Sequence, residues 1–350
     1  MLTSQKIIRG GYYPNMDLMR YVLAFGVFIA HYNELAGHSV WYFISSFDCV
    51  GAFFALSGFL VYGSYEKSKS FRKYCADRAR RILPPYFFIV ILCALGLAFA
   101  SSLPLSKYFS VLGFWQYLGA NISFLNWLHP DLPGVFVGDE YVLPAVNGSL
   151  WTMKVEWSLY LSVPIVIWVI NRFGLNRQKT VMVIIVSSVL YRWILISLYD
   201  HTGIGLLEIL SRQFCGQLAY FYTGVLIYFY KYEFQAHLVK MFLIGLLLFV
   251  SVGYIPYGNI FISPVAVSIL VLAVSLIKST PNILRHRHNV SYEMYLFHFP
   301  LIQLLIFTGI NGLPTYISFA VVVMSTIILS VICHFTICLP FLRRKSQRYN

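Results

Sequence analysis

The first long apolar stretch of the sequence carries four ionisable side chains, Asp17, Arg20, His31 and Glu34. On an α-helix each residue advances by about 100°, so the step from Arg20 to His31 returns to nearly the same direction and rises about 16 Å. An ionisable side chain at the centre of a bilayer costs at least about 2.5–3.5 kcal/mol, so this stripe must face protein or water. Histidine is suited to taking a proton from a hydroxyl group. His31 is therefore a candidate general base, and Arg20 is a candidate ligand for an anionic substrate.

A second candidate, Glu156, lies in the fourth long apolar stretch. His31 and Glu156 each lie about five or six residues below the end of a stretch, which places both about 7–9 Å under the same membrane surface. A carboxylate at that depth can orient an imidazole ring and stabilise its protonated form. The structural alternatives are a satisfied buried histidine at position 31 and a partner for Lys154, or a helix end, at position 156.

The composition indicates the elements that must position these residues. The 350 residues are 59% hydrophobic and only 11% charged, whereas soluble proteins are about 25% charged. This composition predicts an all-α, polytopic membrane protein with one domain over residues 1–350. Apolar runs of about 17–25 residues mark the spans. We expect about ten of them, near residues 18–36, 47–65, 83–101, 150–170, 181–199, 213–230, 241–256, 260–277, 290–310 and 315–340.

The basic residues predict the orientation of these spans. With a cytoplasmic N-terminus, 21 of the 26 Lys and Arg residues fall in cytoplasmic segments and 2 fall on the opposite side. Cytoplasmic loops carry such an excess, so both termini are expected in the cytoplasm. The same rule explains the net charge of +13 without a nucleic-acid partner. The loop predicted from Lys67 to Arg81 is the most basic, which suits anionic lipid or the phosphate groups of a ligand.

The rest of the sequence predicts few other sites. No two of the six cysteines have the spacing of a metal site, so we interpret all six as small apolar packing residues and expect no metal. No cleavable signal peptide is expected, because Arg20 and His31 interrupt the first apolar run. The largest extracytoplasmic segment, residues 102–149, mixes aromatic rings with amides and acids. That mixture suits either a sugar ligand or an interfacial aromatic belt.

Five sequence motifs lie between residues 19 and 300. Residues 19–31 have Met-Arg followed by a helix ending in His. Residues 53–60 read Phe-Phe-Ala-Leu-Ser-Gly-Phe-Leu, in which Ser57 and Gly58 permit close helix packing. Residues 78–84 read Arg-Ala-Arg-Arg-Ile-Leu-Pro, and residues 147–160 contain Leu-Trp, Glu and Tyr. Residues 291–300 read Ser-Tyr-Glu-Met-Tyr-Leu-Phe-His-Phe-Pro.

Together and in this order, the five motifs resemble those of the acyltransferase-3 superfamily of bacterial membrane enzymes. The resemblance implies a location in the bacterial inner membrane. The sequence departs from many relatives at Gly51, where they have Asp.

This resemblance implies transfer of an acyl group, most often acetyl, from cytoplasmic acetyl-coenzyme A to a hydroxyl of an extracytoplasmic or lipid-linked glycan. It implies His31 as general base with Glu156 as the second catalytic residue. The chain is expected to be a bare membrane module without an added hydrolase-like domain. The residues implied in substrate binding are Arg20, Arg78, Arg81, Tyr160, Tyr295 and His298.

Two other functions fit intramembrane Arg, His and Glu residues. A proton-coupled secondary transporter uses such side chains but is expected to contain an internal repeat with broken helices, and the sequence shows none. A non-enzymatic partner of a glycan assembly system does not require His31. A homo-oligomer is compatible with all three functions.

Overall fold

The computed structural model describes residues 13–42, 44–68, 70–139, 141–277 and 288–343. Within these ranges the chain is helical, and its only strand-like pairing is an isolated bridge between Ser101 and Val135. The α-helices are α1 (Pro14–Ala36), α2 (Ser46–Ser68), α3 (Phe71–Gly96), α4 (Leu105–Ser110), α5 (Leu112–Ile122), α6 (Trp151–Phe173), α7 (Arg177–Thr202), α8 (Gly205–Ser211), α9 (Phe214–Phe229), α10 (Lys231–Ala236), α11 (Leu238–Ser251), α12 (Gly258–Phe261), α13 (Ser263–Ser275), α14 (Ser291–Phe307), α15 (Thr315–Cys333) and α16 (Leu339–Arg343). Short 3-10 turns cover Leu97–Ala100, Gly148–Leu150, Val252–Tyr254 and Ile310–Gly312, and a π-helical turn covers His334–Cys338.

The helices confirm an all-α, multi-pass membrane protein. A helix lies at each of the ten predicted spans, namely α1, α2, α3, α6, α7, α9, α11, α13, α14 and α15. Among the described residues, five helical stretches are both long and apolar enough to cross a bilayer: Ser46–Ser68, Phe71–Ala100, Gly148–Phe173, Arg177–Thr202 and Thr315–Leu342. The count of ten spans and the orientation remain predictions, and both ends of the chain lie outside the described residues.

The basic segment predicted as a loop is mostly helical, so that prediction was wrong. Helix α2 continues to Ser68, and α3 already begins at Phe71. Ser70 starts α3 because its hydroxyl accepts a hydrogen bond from the backbone N–H of Lys73 at 3.3 Å, as N-cap serines do. Arg78 and Arg81 are three residues apart and therefore lie on one side of the helix, whereas Arg80 points to another side.

Helices α2 and α9 pack with their backbones in close approach. A Cβ atom at Gly58 would lie 1.9 Å from the carbonyl oxygen of Phe221, and one at Gly224 would lie 2.1 Å from that of Ala55. Small residues permit such contacts between membrane helices, so the packing role predicted for Gly58 is confirmed. At Gly51 the ring of Tyr220 fills the space, 2.4 Å from a Cβ position. An Asp side chain would therefore clash at Gly51.

The segment of residues 102–149 folds back onto the helices. Asn121 is buried, and its amide donates to the carbonyls of Tyr117 and His129 at 2.8 and 3.0 Å. Trp115 and Trp127 are more than half exposed, at 59% and 52%. The Asn121 amide thus stabilises the fold of this segment. The exposed indole rings of Trp115 and Trp127 suit contact with either a sugar or a membrane interface. Glu140, in the same segment, lies outside the described residues.

All six cysteines are free, and four of them are buried. Cys215, in the first turn of α9, is exposed, so the packing role predicted for all six is wrong there.

Candidate active site

The five motif segments converge on one cavity, which is partly open to solvent. Helices α1, α2, α3, α6 and α14 each contribute to its wall, although their motifs are spread over nearly 300 residues of sequence. The lining residues are Arg20, Val50, Phe53, Phe54, Ser57, Arg81, Ile82, Thr152, Met153, Glu156, Tyr160, Ser291, Tyr292 and Tyr295. The cavity is therefore mostly apolar, with two guanidinium groups, one carboxylate and several hydroxyls.

The polar groups of the cavity are hydrogen-bonded to one another. The Tyr160 hydroxyl donates to the Glu156 carboxylate and lies 3.2 Å from the Ser57 hydroxyl. Arg20 is mostly buried and pairs with Asp17 at 3.6 Å, one helical turn away. A wide apolar cavity with a few convergent polar groups is the usual form of a small-molecule site. Its charges and hydroxyls suit a long, amphipathic substrate.

His31 is not one of the lining residues and is paired with His298. Its Nδ1 is 2.8 Å from Nε2 of His298, and the two rings are parallel, with centroids 5.1 Å apart. Nδ1 of His298 lies 2.7 Å from the carbonyl oxygen of Tyr295. Because a carbonyl only accepts, Nδ1 of His298 must carry the proton and its Nε2 must accept from Nδ1–H of His31. Nε2 of His31 is then left with a free lone pair, which is the state that a general base requires.

A proline in α14 accounts for a contact between α14 and α6. Pro300 has no N–H and so leaves the carbonyl of Leu296 without its helical partner. The side-chain amide of Asn147 donates to that carbonyl at 2.8 Å. Asn147 directly precedes the 3-10 turn that begins α6, so the same contact joins α6 to α14. The hydrogen bond therefore ties the Glu156 helix to the turn of α14 that carries His298.

The structure distributes the predicted residues between the cavity and the histidine pair. Arg20, Arg81, Glu156, Tyr160 and Tyr295 line the cavity. His31 and Glu156 share no hydrogen bond: the partner of His31 is His298, and that of Glu156 is Tyr160.

Arg78 lies just outside the cavity lining. Its guanidinium donates to Ser64 at 3.0 Å and lies 5.9 Å from the centre of the Tyr160 ring. It therefore supports a residue of the cavity wall.

Tyr295 connects the cavity with the histidine pair. Its hydroxyl lies 3.0 Å from that of Thr152, and its ring centroid lies 5.5 Å from that of His298. Sequence reasoning missed Thr152 and Asn147 and gave Ser57 a packing role. Two signals in the sequence point to Asn147. Pro300 frees a carbonyl that needs a donor, and an Asn-Gly-Ser run before a helix is a capping signal.

Comparison with known proteins identifies the family of the chain. The acyltransferase-3 family, described as an acyltransferase domain, matches residues 13–335. "Nodulation protein 10" of Rhizobium leguminosarum bv. viciae is 26% identical over 337 residues, which cover 86% of each chain. An "O-acetyl transferase" of Shigella phage Sf6 is 25% identical over 301 residues, covering 83% of this chain and 85% of that protein. No solved structure matches. The chain thus belongs to the acyltransferase-3 family and is an O-acyltransferase.

Proposed function

We propose that this enzyme transfers an acetyl group from cytoplasmic acetyl-coenzyme A to a hydroxyl of a glycan outside the cytoplasm or on a lipid carrier. The name of the phage relative, "O-acetyl transferase", supports acetyl as the group transferred. The distribution of 21 and 2 basic residues supports ten spans in the inner membrane with both termini in the cytoplasm. The observation that carries the proposal is the hydrogen-bond chain from His31 through His298 to the carbonyl of Tyr295.

The donor is proposed to occupy the cavity. Arg81 is exposed at the basic end of α3, so its planar guanidinium suits the phosphates of coenzyme A. Arg20 lies deeper, and His31 is about 16 Å further along the same continuous helix. The long, uncharged pantetheine arm can span that distance along the apolar wall. Glu156, held by Tyr160, offers an acceptor for the amide N–H groups of the arm.

The chemistry follows from the tautomer of His31. The acceptor hydroxyl gives its proton to Nε2 of His31 while its oxygen attacks the thioester carbonyl. As the C–S bond breaks, the proton passes from His31 to the departing sulfur, which leaves an ester and the free thiol of coenzyme A. While His31 is protonated, its Nδ1–H bond to His298 becomes charge-assisted and therefore stronger. General-base catalysis of this kind contributes about 10²–10⁴-fold to the rate.

We propose direct transfer rather than an acyl-enzyme. A nucleophilic hydroxyl must lie within hydrogen-bond reach of its base. The cavity hydroxyls have other neighbours: Ser57 pairs with Tyr160, and Thr152 lies 2.9 Å from the carbonyl of Ser149. No serine, threonine, cysteine or lysine lies in α1 between Arg20 and His31.

The test compares His31→Ala with His38→Ala in purified enzyme. His38 stacks on Tyr32 and lies 3.1 Å from the hydroxyl of Thr315, away from the proposed site. Labelled acetyl-coenzyme A is supplied with the polysaccharide and lipid-linked glycan fractions of a strain that lacks the enzyme. We expect His31→Ala to lower label incorporation by about 10²-fold or more, with normal abundance in the membrane. Near-native incorporation by this variant would refute the catalytic assignment.

A further inference from the structure

A second cluster of reactive side chains lies apart from the cavity lining, where the end of α15 meets the start of α14. It consists of Glu293 in the first turn of α14, with His334 and Cys338 in the π-helical turn. Their ligand atoms all lie within 4.8 Å of one another. All three residues are buried, with 3–4% exposure. The cluster could not be predicted from the sequence, because Glu293 and His334 are 41 residues apart.

The π-helical turn shapes the cluster. In an α-helix, residues five apart point about 140° away from each other, whereas a π turn closes an i→i+5 bond and brings them to one side. Cys333 and Cys338 are five residues apart, and both are buried. Single π turns occur frequently at functional sites. The π turn therefore places the Cys333 thiol beside the cluster, although Cys333 is not one of its three residues.

The hydrogen bonds of the cluster leave one oxygen without a partner. Nδ1 of His334 lies 2.8 Å from Oε1 of Glu293, but Oε2 of Glu293 is buried and has no hydrogen bond. Leaving a buried polar atom unpaired is costly. Nε2 of His334 lies 3.3 Å from Nδ1 of His288, so the far side of the ring is also held. Metal-binding histidines are commonly oriented by such an outer hydrogen bond.

We propose that Glu293, His334 and Cys338 bind a zinc ion. Carboxylate, imidazole and thiolate together are a ligand set of zinc sites, in which ligand atoms lie about 2.0–2.3 Å from the metal. The charges cancel, because one carboxylate and one thiolate balance a divalent ion beside a neutral imidazole. Cys333 then donates its S–H to the Cys338 thiolate and does not bind the metal itself. The fourth position is left for solvent or for Oε2 of Glu293.

The ion would fix the first turn of α14 against the end of α15. Ser291 and Tyr292 belong to the same turn as Glu293, and both line the cavity. The Tyr292 hydroxyl also donates to the carbonyl of Ile82 in α3 at 3.2 Å. A metal at Glu293 would therefore stabilise one wall of the cavity without touching a substrate. This inference does not depend on the identity of donor or acceptor.

The test is the metal content of the enzyme, purified without chelator into lipid nanodiscs. We expect about one zinc ion per chain in the wild type, little in Cys338→Ser and Glu293→Gln, and an unchanged content in Cys333→Ser. Cys93→Ser, at a buried cysteine in α3, is a second control. Zinc content in the wild type no higher than in Cys338→Ser would overturn the proposal.

A second measurement does not depend on how the variants fold. Wild-type enzyme stripped with chelator is titrated with Co²⁺, and we expect the visible d–d bands together with a thiolate-to-cobalt band in the near ultraviolet. The thiolate band should persist in Cys333→Ser. Folded, stripped enzyme that shows no thiolate band would refute a metal site and leave the cluster as a Glu–His ion pair.

Discussion

His298 is fully buried and touches the proposed base, so its replacement tests how His31 is positioned. His298→Leu removes the acceptor that lies 2.8 Å from Nδ1 of His31. An unpaired buried N–H costs about 1–3 kcal/mol. If the hydrogen bond from His31 to His298 stabilises the transition state by this amount, its loss lowers kcat roughly 5- to 150-fold, at 1.36 kcal/mol per factor of ten. In a catalytic triad whose partner imposes the wrong tautomer, the loss reaches about 10⁴-fold.

His298→Gln is the matched control. Glutamine carries an amide oxygen at a reach similar to that of Nε2, so it can still accept from Nδ1–H of His31. We expect His298→Gln to retain more activity than His298→Leu. A residue that only filled space would give the opposite order, because leucine suits the apolar neighbours Phe28 and Phe299 better.

The assay is labelled acetyl transfer with variation of the acetyl-coenzyme A concentration. His298 does not line the cavity, so we expect kcat to fall while KM for the donor stays near its wild-type value. Melting temperature and membrane abundance separate this effect from misfolding. Wild-type kcat in a folded His298→Leu enzyme would refute the positioning role, and so would a change confined to KM.

Two further variants test the donor site and the helix packing. Arg81→Ala should weaken coenzyme A binding by roughly tenfold or more, because a charge-assisted hydrogen bond contributes about 1.5–3 kcal/mol. Arg80→Ala should not, since Arg80 lies off the cavity and pairs with Asp77 at 3.7 Å; equal calorimetric affinities of the two variants would place the phosphates elsewhere. Gly58→Ala should destabilise the enzyme by about 1–3 kcal/mol, because its Cβ would meet a backbone carbonyl at 1.9 Å. Gly96→Ala has open space at its Cβ, and a melting temperature equal to that of Gly58→Ala would contradict the packing argument.

The sequence predicted the helices and five of the fourteen residues that line the cavity, because both depend on local patterns. Apolar length gives each span, and the five motifs supplied Arg20, Arg81, Glu156, Tyr160 and Tyr295, which all reach one cavity. The partner of His31 could not be obtained in this way. Membrane depth alone made Glu156 as suitable as any other polar residue, whereas the pairing with His298 joins residues 267 positions apart and depends on which helices are neighbours.

Residues 171–289 are a second case in which local sequence patterns do not predict the contacts between helices. It contains no motif, yet α9 lies against α2 at the Gly58 contact, and Tyr222 on α9 lies 2.9 Å from the hydroxyl of Ser162 on α6. Helix α9 therefore packs against two helices that line the cavity. The packing of such a helix requires that its surface match the shape of its neighbours. Shape complementarity leaves no fixed residue pattern in a single sequence.

Pro300 relates the local backbone of α14 to the packing of α14 against α6. A proline inside a helix is unfavourable unless another group satisfies the carbonyl it leaves free. Here Asn147 supplies the donor, so the start of α6 is held against the turn of α14 that carries Tyr295 and His298. The Tyr295 carbonyl sets the tautomer of His298, and His298 in turn sets that of His31. The carbonyl freed by Pro300 thus holds α6 against α14 through Asn147, and the neighbouring carbonyl of Tyr295, acting through His298, leaves the free lone pair of His31 on Nε2.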